Sequence, residues 1–163
     1  MRLDDPLHRI QFRPTVGTGP RELVRKSHQF DIENLTEEIE AAGRSEMTEL
    51  SILLMGLMTA IIKIAIAPPG DDRRPWTVEA FNLKGSIEVC RDEGLDAHVD
   101  LDRLWARAWQ TAVVTLQETG AIVPDKIDRC PLSIKQLVDP NLHPHEGAAI
   151  IRDIVPDAYR VYW

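Results

Sequence analysis

The carboxylates that could carry chemistry are concentrated in one short stretch of the chain. Glu37, Glu38 and Glu40 lie close together, and glutamates that point inward from helices bind the metal ions of di-metal helical bundles. Such sites also need a histidine three residues after a glutamate on two of the helices. None of the five histidines has that spacing. The cluster therefore indicates a solvated helix face, and we expect no metal and no other cofactor.

Three further patterns have ordinary explanations. The His-Pro-His sequence at 143–145 has the spacing of metal ligands but no second ligand cluster. The serine, histidine and aspartate within 27–31 lack the glycine-rich turn that exposes a catalytic serine. The glycine-containing segment 17–20 lacks the lysine of a phosphate-binding loop. Loop polarity, chance and turn chemistry explain these patterns better than catalysis does.

One polar set remains as a candidate site. Asn34, Glu38, Arg44 and Lys63 lie on predicted helices, and clustered polar groups on a helical bundle can form a reactive site. An enzyme or nuclease-like accessory protein acting through these four is therefore the alternative function. For the first three residues we expect a structural role, in which hydrogen bonds organise the junction of the first two major helices.

Composition limits the class of protein. The chain has 163 residues, 44% of them hydrophobic and 28% charged, which suits one globular domain with a real core. The net charge is −7, and an acidic body argues against nonspecific binding to nucleic acid. Six bases against three acids in residues 1–30 leave a weakly basic N-terminal arm open.

The cysteines and the N-terminal residues predict the cellular compartment of the protein. Cys90 and Cys130 lie far apart without a Cys-x-x-Cys motif, so we expect two reduced thiols. The first twenty residues lack the apolar core of a secretory signal. We therefore expect a cytoplasmic protein.

Proline and glycine divide the chain into segments. Residues 1–20 contain three prolines and two glycines and should form an irregular lead-in. Residues 21–155 should form a single helical bundle domain. Residues 156–163 should form an aromatic C-terminal tail.

The first helical segments have an ambiguous junction. A short helix is expected at 21–29, and residues 31–42 should form an amphipathic helix with Asp31 as its N-cap. Gly43 and Ser45 either end that helix or lie within one long bent helix. The sequence leaves both alternatives open.

The later segments complete an all-α fold. Apolar residues recur at helical spacing over 75–93 and 100–119, where Asp100 can cap the second helix. Two short helices should follow, the last over 147–154. Short connections favour antiparallel neighbours. We therefore expect an up-and-down bundle of about four main helices with short terminal helices.

The most apolar segment is residues 50–67, at the lower length limit of a membrane span. Lys63 interrupts it and no aromatic belt flanks it. We expect the helices at 31–42, 75–93 and 100–119 to bury it, and we expect no membrane.

The C-terminal aromatic residues point to a partner. Tyr159, Tyr162 and Trp163 must either dock on the body of the protein or contact another molecule. A four-helix bundle also leaves the apolar segment partly open, and either the helix at 147–154 or the same elements of a second copy could cover it. We therefore expect a non-enzymatic module of protein interaction that forms a homo-oligomer through the terminal helices and this tail, and that binds an unknown protein partner.

The stretch DIENLTEEIEAAGRSE resembles a bacterial family known as domain-of-unknown-function family twenty-nine. The matching residues are Asp31, Glu33, Asn34, Leu35, Glu37, Glu38, Ile39, Glu40, Gly43, Arg44, Ser45 and Glu46. Later landmarks, matched less specifically, are Lys63, Trp76, Pro131, Leu137, Asp139 and Pro144. The resemblance implies a helical fold in a bacterial cytoplasm and no particular activity.

The chain departs from the family pattern at three positions. Where members usually carry a histidine before the lysine, this chain has Ala60, and where they carry a Gln-Arg pair it has Leu83 and Lys84. If those polar residues form a site in the family, the site is degraded here.

Overall fold

The computed structural model describes residues 20–124, 127–156 and 159, with side chains from residue 32 onward. The described residues contain helices and no strand, which confirms the all-α class. The helices are α1 (Pro20–Ile66), α2 (Arg74–Cys90), α3 (Glu93–Asp96), α4 (Leu101–Gln117), α5 (Ile134–Val138) and α6 (Pro144–Ile154).

The chain divides into two compact units, residues 1–41 and residues 42–163. The lead-in predicted over 1–20 lies outside the described residues except for Pro20, which begins α1. The single domain predicted over 21–155 stays a prediction.

Helix α1 resolves the ambiguity at the first junction. It is one helix, so the separate helix at 21–29 and the N-cap at Asp31 are wrong predictions. Gly43 and Ser45 lie within it. A glycine inside a helix costs only about 1 kcal/mol relative to alanine, so it does not by itself end a helix.

The second half of α1 is the centre of the hydrophobic core. Its buried apolar side chains are at most 1% exposed, and they are Leu50, Leu54, Leu57, Met58, Ala60, Ile61, Ile62, Ile64, Ala65 and Ile66. Ala67, directly after the helix, is also buried. Most of the segment 50–67 is therefore buried within the protein, whereas Ile52 is 58% exposed. The separate helix predicted at 31–42 does not exist, because these residues belong to α1 itself.

The remaining helices surround this segment. Helix α2 runs back along α1, since Arg73 contacts the end of α1 and the Leu83 side chain lies 3.3 Å from the Cβ position of Gly56. Helix α6 covers another side, where Gly147 lies against Ile61. Helix α6 thus covers one side of the segment within the chain, whereas Ile52 elsewhere on it is 58% exposed.

Polar groups satisfy the ends of the helices. Arg73 donates from Nε to the Ile64 carbonyl at 3.0 Å and from Nη2 to the Ala67 carbonyl at 2.6 Å, and these carbonyls have no partner inside the helix. Asp100 accepts a hydrogen bond from the backbone N–H of Arg103 at 3.1 Å, which confirms it as the N-cap of α4.

One described helical stretch, Ile32–Ile66, is long and apolar enough to cross a membrane, with a mean hydropathy of 2.0 in its most apolar window. More than half of that window, 56%, is buried inside the protein. The core helix of a soluble protein meets the same criterion, so length and composition are weak evidence for a membrane span.

Helix α2 offers a direct test of the core. Ile87 is 1% exposed and Val89 is 89% exposed on the same helix. Ile87→Ala should lower the free energy of unfolding by about 2–5 kcal/mol through lost burial and a cavity. Val89→Ala should change it by less than about 0.5 kcal/mol. Urea denaturation followed by circular dichroism measures both, and equal effects would contradict this placement of α2.

Candidate functional site

The four polar residues predicted as a site are not gathered in one place. Asn34 and Glu38 are exposed on the part of α1 within residues 1–41, and Arg44 is exposed beyond it. Lys63, half-buried, lies in the last turn of α1, 19 residues after Arg44. At 1.5 Å per residue this is about 28 Å along the helix, so Arg44 and Lys63 do not share a site.

The predicted structural role of Asn34, Glu38 and Arg44 also needs correction. They were expected to organise a junction between two helices, but α1 is continuous through all three positions. There is therefore no junction for them to organise. Their use as a binding surface stays a prediction.

The positions that depart from the family pattern have structural roles. Ala60 is buried in the core. Lys84 is 9% exposed, and its Nζ donates to the Asp139 carbonyl at 2.6 Å and to the Leu142 carbonyl. Burial lowers the pKa of Lys84, while the carboxylates of Asp139 and Glu146 oppose that shift. Lys84 therefore holds the connection between α5 and α6 against α2.

The two histidines at 143 and 145 begin α6 rather than forming a loop site. His143 Nδ1 accepts from the His145 backbone N–H at 3.2 Å, and Glu146 accepts from the His143 N–H at 2.8 Å. Burial lowers the pKa of His145, and the positive charges of Arg152 and Arg73 add to this. Within the described residues, no group of three or more His, Cys, Asp or Glu side chains could hold a metal ion.

A row of apolar side chains is exposed on α1. Ile32, Leu35 and Ile39 are 63%, 56% and 64% exposed, and their spacing places them on one face of the helix. We call these three residues the arm stripe. Exposed glutamates flank it, including Glu38 and Glu40.

A groove of 330 Å³ lies between α1 and α4. Its lining residues are Met47, Thr48, Ser51, Ile52, Met55, His98, Asp100, Arg103, Leu104 and Arg107. We call it the α1–α4 groove. Its wall is apolar at the methionines and leucine, and it carries the exposed cations Arg103 and Arg107 one turn apart on α4. Asp100, the acid in the groove, is bound by the backbone of α4.

Sequence reasoning missed this groove. Arg103 and Arg107 have the i, i+4 spacing of one helix face, and they border the apolar face of α4. That spacing was the available signal. The pairing of α4 with residues 47–55 could not be read from it, because that contact joins distant parts of the chain.

The C-terminal interface prediction is only partly within the described residues. Tyr159 is half-buried and packs against the hydrophobic core. Tyr162 and Trp163 lie outside the described residues. The tail as an interface stays a prediction.

Lys84 can be tested as a structural group. Lys84→Met keeps most of the side-chain volume but leaves the Asp139 and Leu142 carbonyls without their donor. We expect the free energy of unfolding to fall by about 1–3 kcal/mol. The matched control is Lys135→Met, at an exposed position, which should have little effect in urea denaturation. A loss no larger for Lys84→Met than for the control would refute the role.

Cys130 should react slowly. Burial raises the pKa of its thiol from 9.0 to about 11. Because the thiolate is the nucleophile, its alkylation by iodoacetamide at pH 8 should be about 100-fold slower than that of an ordinary thiol. Peptide mass spectrometry measures the rate at this residue. The rate should recover in urea, and an equally fast reaction in the folded protein would contradict the burial.

Comparison with known proteins shows that another protein has a similar helical fold. The chain is similar to an alpha-helical protein of unknown function from Rhodospirillum rubrum, solved by crystallography at 1.45 Å, with 25% identity and a TM-score of 0.68. The similarity covers 77% of this chain and 78% of the other. No curated protein matches the chain.

The sequence also matches a family model over residues 22–143, most of the chain. This range includes α1 almost from its start, all of α2 to α5, and the approach to α6. The protein therefore belongs to the family described as Domain of unknown function DUF29.

Proposed function

We propose that this protein is a non-enzymatic interaction module that self-associates in the bacterial cytoplasm. The arm stripe carries this proposal. Ile32, Leu35 and Ile39 are each more than half exposed and follow helical spacing. Single exposed apolar residues are ordinary, whereas a continuous apolar row flanked by charge is typical of a surface that contacts another protein.

The free energy of association favours a symmetric dimer, in which the same contact forms twice. Burying the exposed part of one such side chain contributes roughly 1–2 kcal/mol. Burial of all three side chains contributes roughly 3–6 kcal/mol. This matches only the low end of the free-energy cost of association, which is about 4–15 kcal/mol. A symmetric pair of copies buries both stripes and doubles the gain. A homo-oligomer with two-fold symmetry is therefore the arrangement in which the stripe contributes most to the free energy of association.

A second copy of the chain also has a suitable surface. The stripe is flanked by carboxylates, and the α1–α4 groove combines an apolar wall with two arginines. Complementary charge of this kind favours one partner and one orientation over others. The location in the cytoplasm is supported by the two free cysteines, and the bacterial setting by the source of the similar solved structure.

Removing the stripe should abolish self-association. The triple variant Ile32→Gln, Leu35→Gln, Ile39→Gln keeps helix propensity while removing apolar surface. Size-exclusion chromatography with light scattering, from micromolar to millimolar concentration, should give twice the 18.4 kDa chain mass for the natural protein. The triple variant should elute as the single chain.

The control replaces apolar residues that are equally exposed elsewhere. Val78→Gln with Val89→Gln changes side chains that are 58% and 89% exposed on α2, and this variant should remain associated. Circular dichroism should show that all variants keep their helices. A natural protein that stays at 18.4 kDa over the whole concentration range would refute self-association.

A further inference from the structure

We infer that the arm stripe of one copy binds in the α1–α4 groove of a second copy, with the glutamates of the arm against Arg103 and Arg107. This inference rests on the proposed self-association and names its binding site. Each copy has one stripe and one groove, so two copies can exchange arms reciprocally. The resulting contact is isologous and closed, because no stripe or groove is left over to extend it.

The groove matches the stripe in chemistry. Met47, Met55 and Leu104 are half-buried, so they offer apolar surface that is still accessible. Ile52 is 58% exposed beside them. An apolar helix face laid between two helices is a common mode of protein recognition, with anchors at i, i+3 and i+7. Ile32, Leu35 and Ile39 have that spacing.

The charges are placed to orient the arm. Arg103 and Arg107 are exposed on the α4 side of the groove. Glu38 and Glu40 are neighbours of Ile39, and at 100° per residue they project to opposite sides of it. With Ile39 in the groove, one of the two glutamates faces α4 whichever direction the arm runs. Exposed charge pairs fix orientation and partner more than they add affinity.

Charge reversal on each side tests the pairing. The groove variant carries Arg103→Glu and Arg107→Glu, and the arm variant carries Glu38→Arg and Glu40→Arg. In either variant alone, like charges meet at both contacts of the dimer. Each should raise the dissociation constant at least about tenfold, equivalent to about 1.4 kcal/mol, as measured by analytical ultracentrifugation of the full chain.

An equimolar mixture of the two variants is the decisive experiment. In the mixed dimer, the unchanged arm of the groove variant meets the unchanged groove of the arm variant, and the two reversed surfaces meet each other. Both contacts are then complementary, so the mixture should form a heterodimer with near-natural affinity. Such rescue also shows that both variants are folded. The control, Arg129→Glu with Lys135→Glu, has the same change in charge at exposed positions and should dimerise normally.

The outcomes separate this inference from the proposed function. If the natural protein dimerises and neither reversal weakens the dimer, self-association stands and the groove is the wrong site. If both reversals weaken it without rescue on mixing, the direct pairing is wrong. A dimer that resists both reversals but dissociates when residues 156–163 are removed would assign the contact to the C-terminal tail. A natural protein that is monomeric at every concentration overturns both.

Discussion

The structure of residues 42–163 depends on burying the apolar second half of α1. From Leu50 to Ala67 this helix is apolar on nearly every side, so one neighbour cannot cover it. Helices α2 and α6 pack against it, and small residues let them approach, with Leu83 against Gly56 and Gly147 against Ile61. Burial on this scale is the dominant favourable term in folding, and the rest of the bundle is arranged to satisfy it.

The buried polar groups follow from the same requirement. Where helices end against the core, their carbonyls leave water and need donors. Arg73 supplies them at the end of α1, and Lys84 supplies them to the connection between α5 and α6. Both side chains are long enough to reach backbone oxygens of another segment of the chain. The hydrogen bonds of Lys84 to these carbonyls thus explain why a lysine occupies this position.

The sequence predicted those parts of the fold that local patterns determine. Apolar spacing located α2 and α4, and Asp100 marked the start of α4, because periodicity and capping act over a few residues. The start of α1 was missed, since Asp31 has the side chain of an N-cap but lies inside a helix that continues through Gly43. The groove was missed for a different reason. Arg107 and Met55 meet through packing between distant segments, which no local pattern encodes.

The apolar faces of the two halves of α1 differ in their exposure. In the second half of α1 an apolar face is covered by other helices, whereas at Leu35 and Ile39 the same kind of face remains exposed. The stretch that matches the family pattern most specifically, residues 31–46, includes this exposed face. By contrast, Ala60 in the second half of the helix is buried in the core. The exposed face at Leu35 and Ile39 is therefore the surface on which the proposed self-association depends.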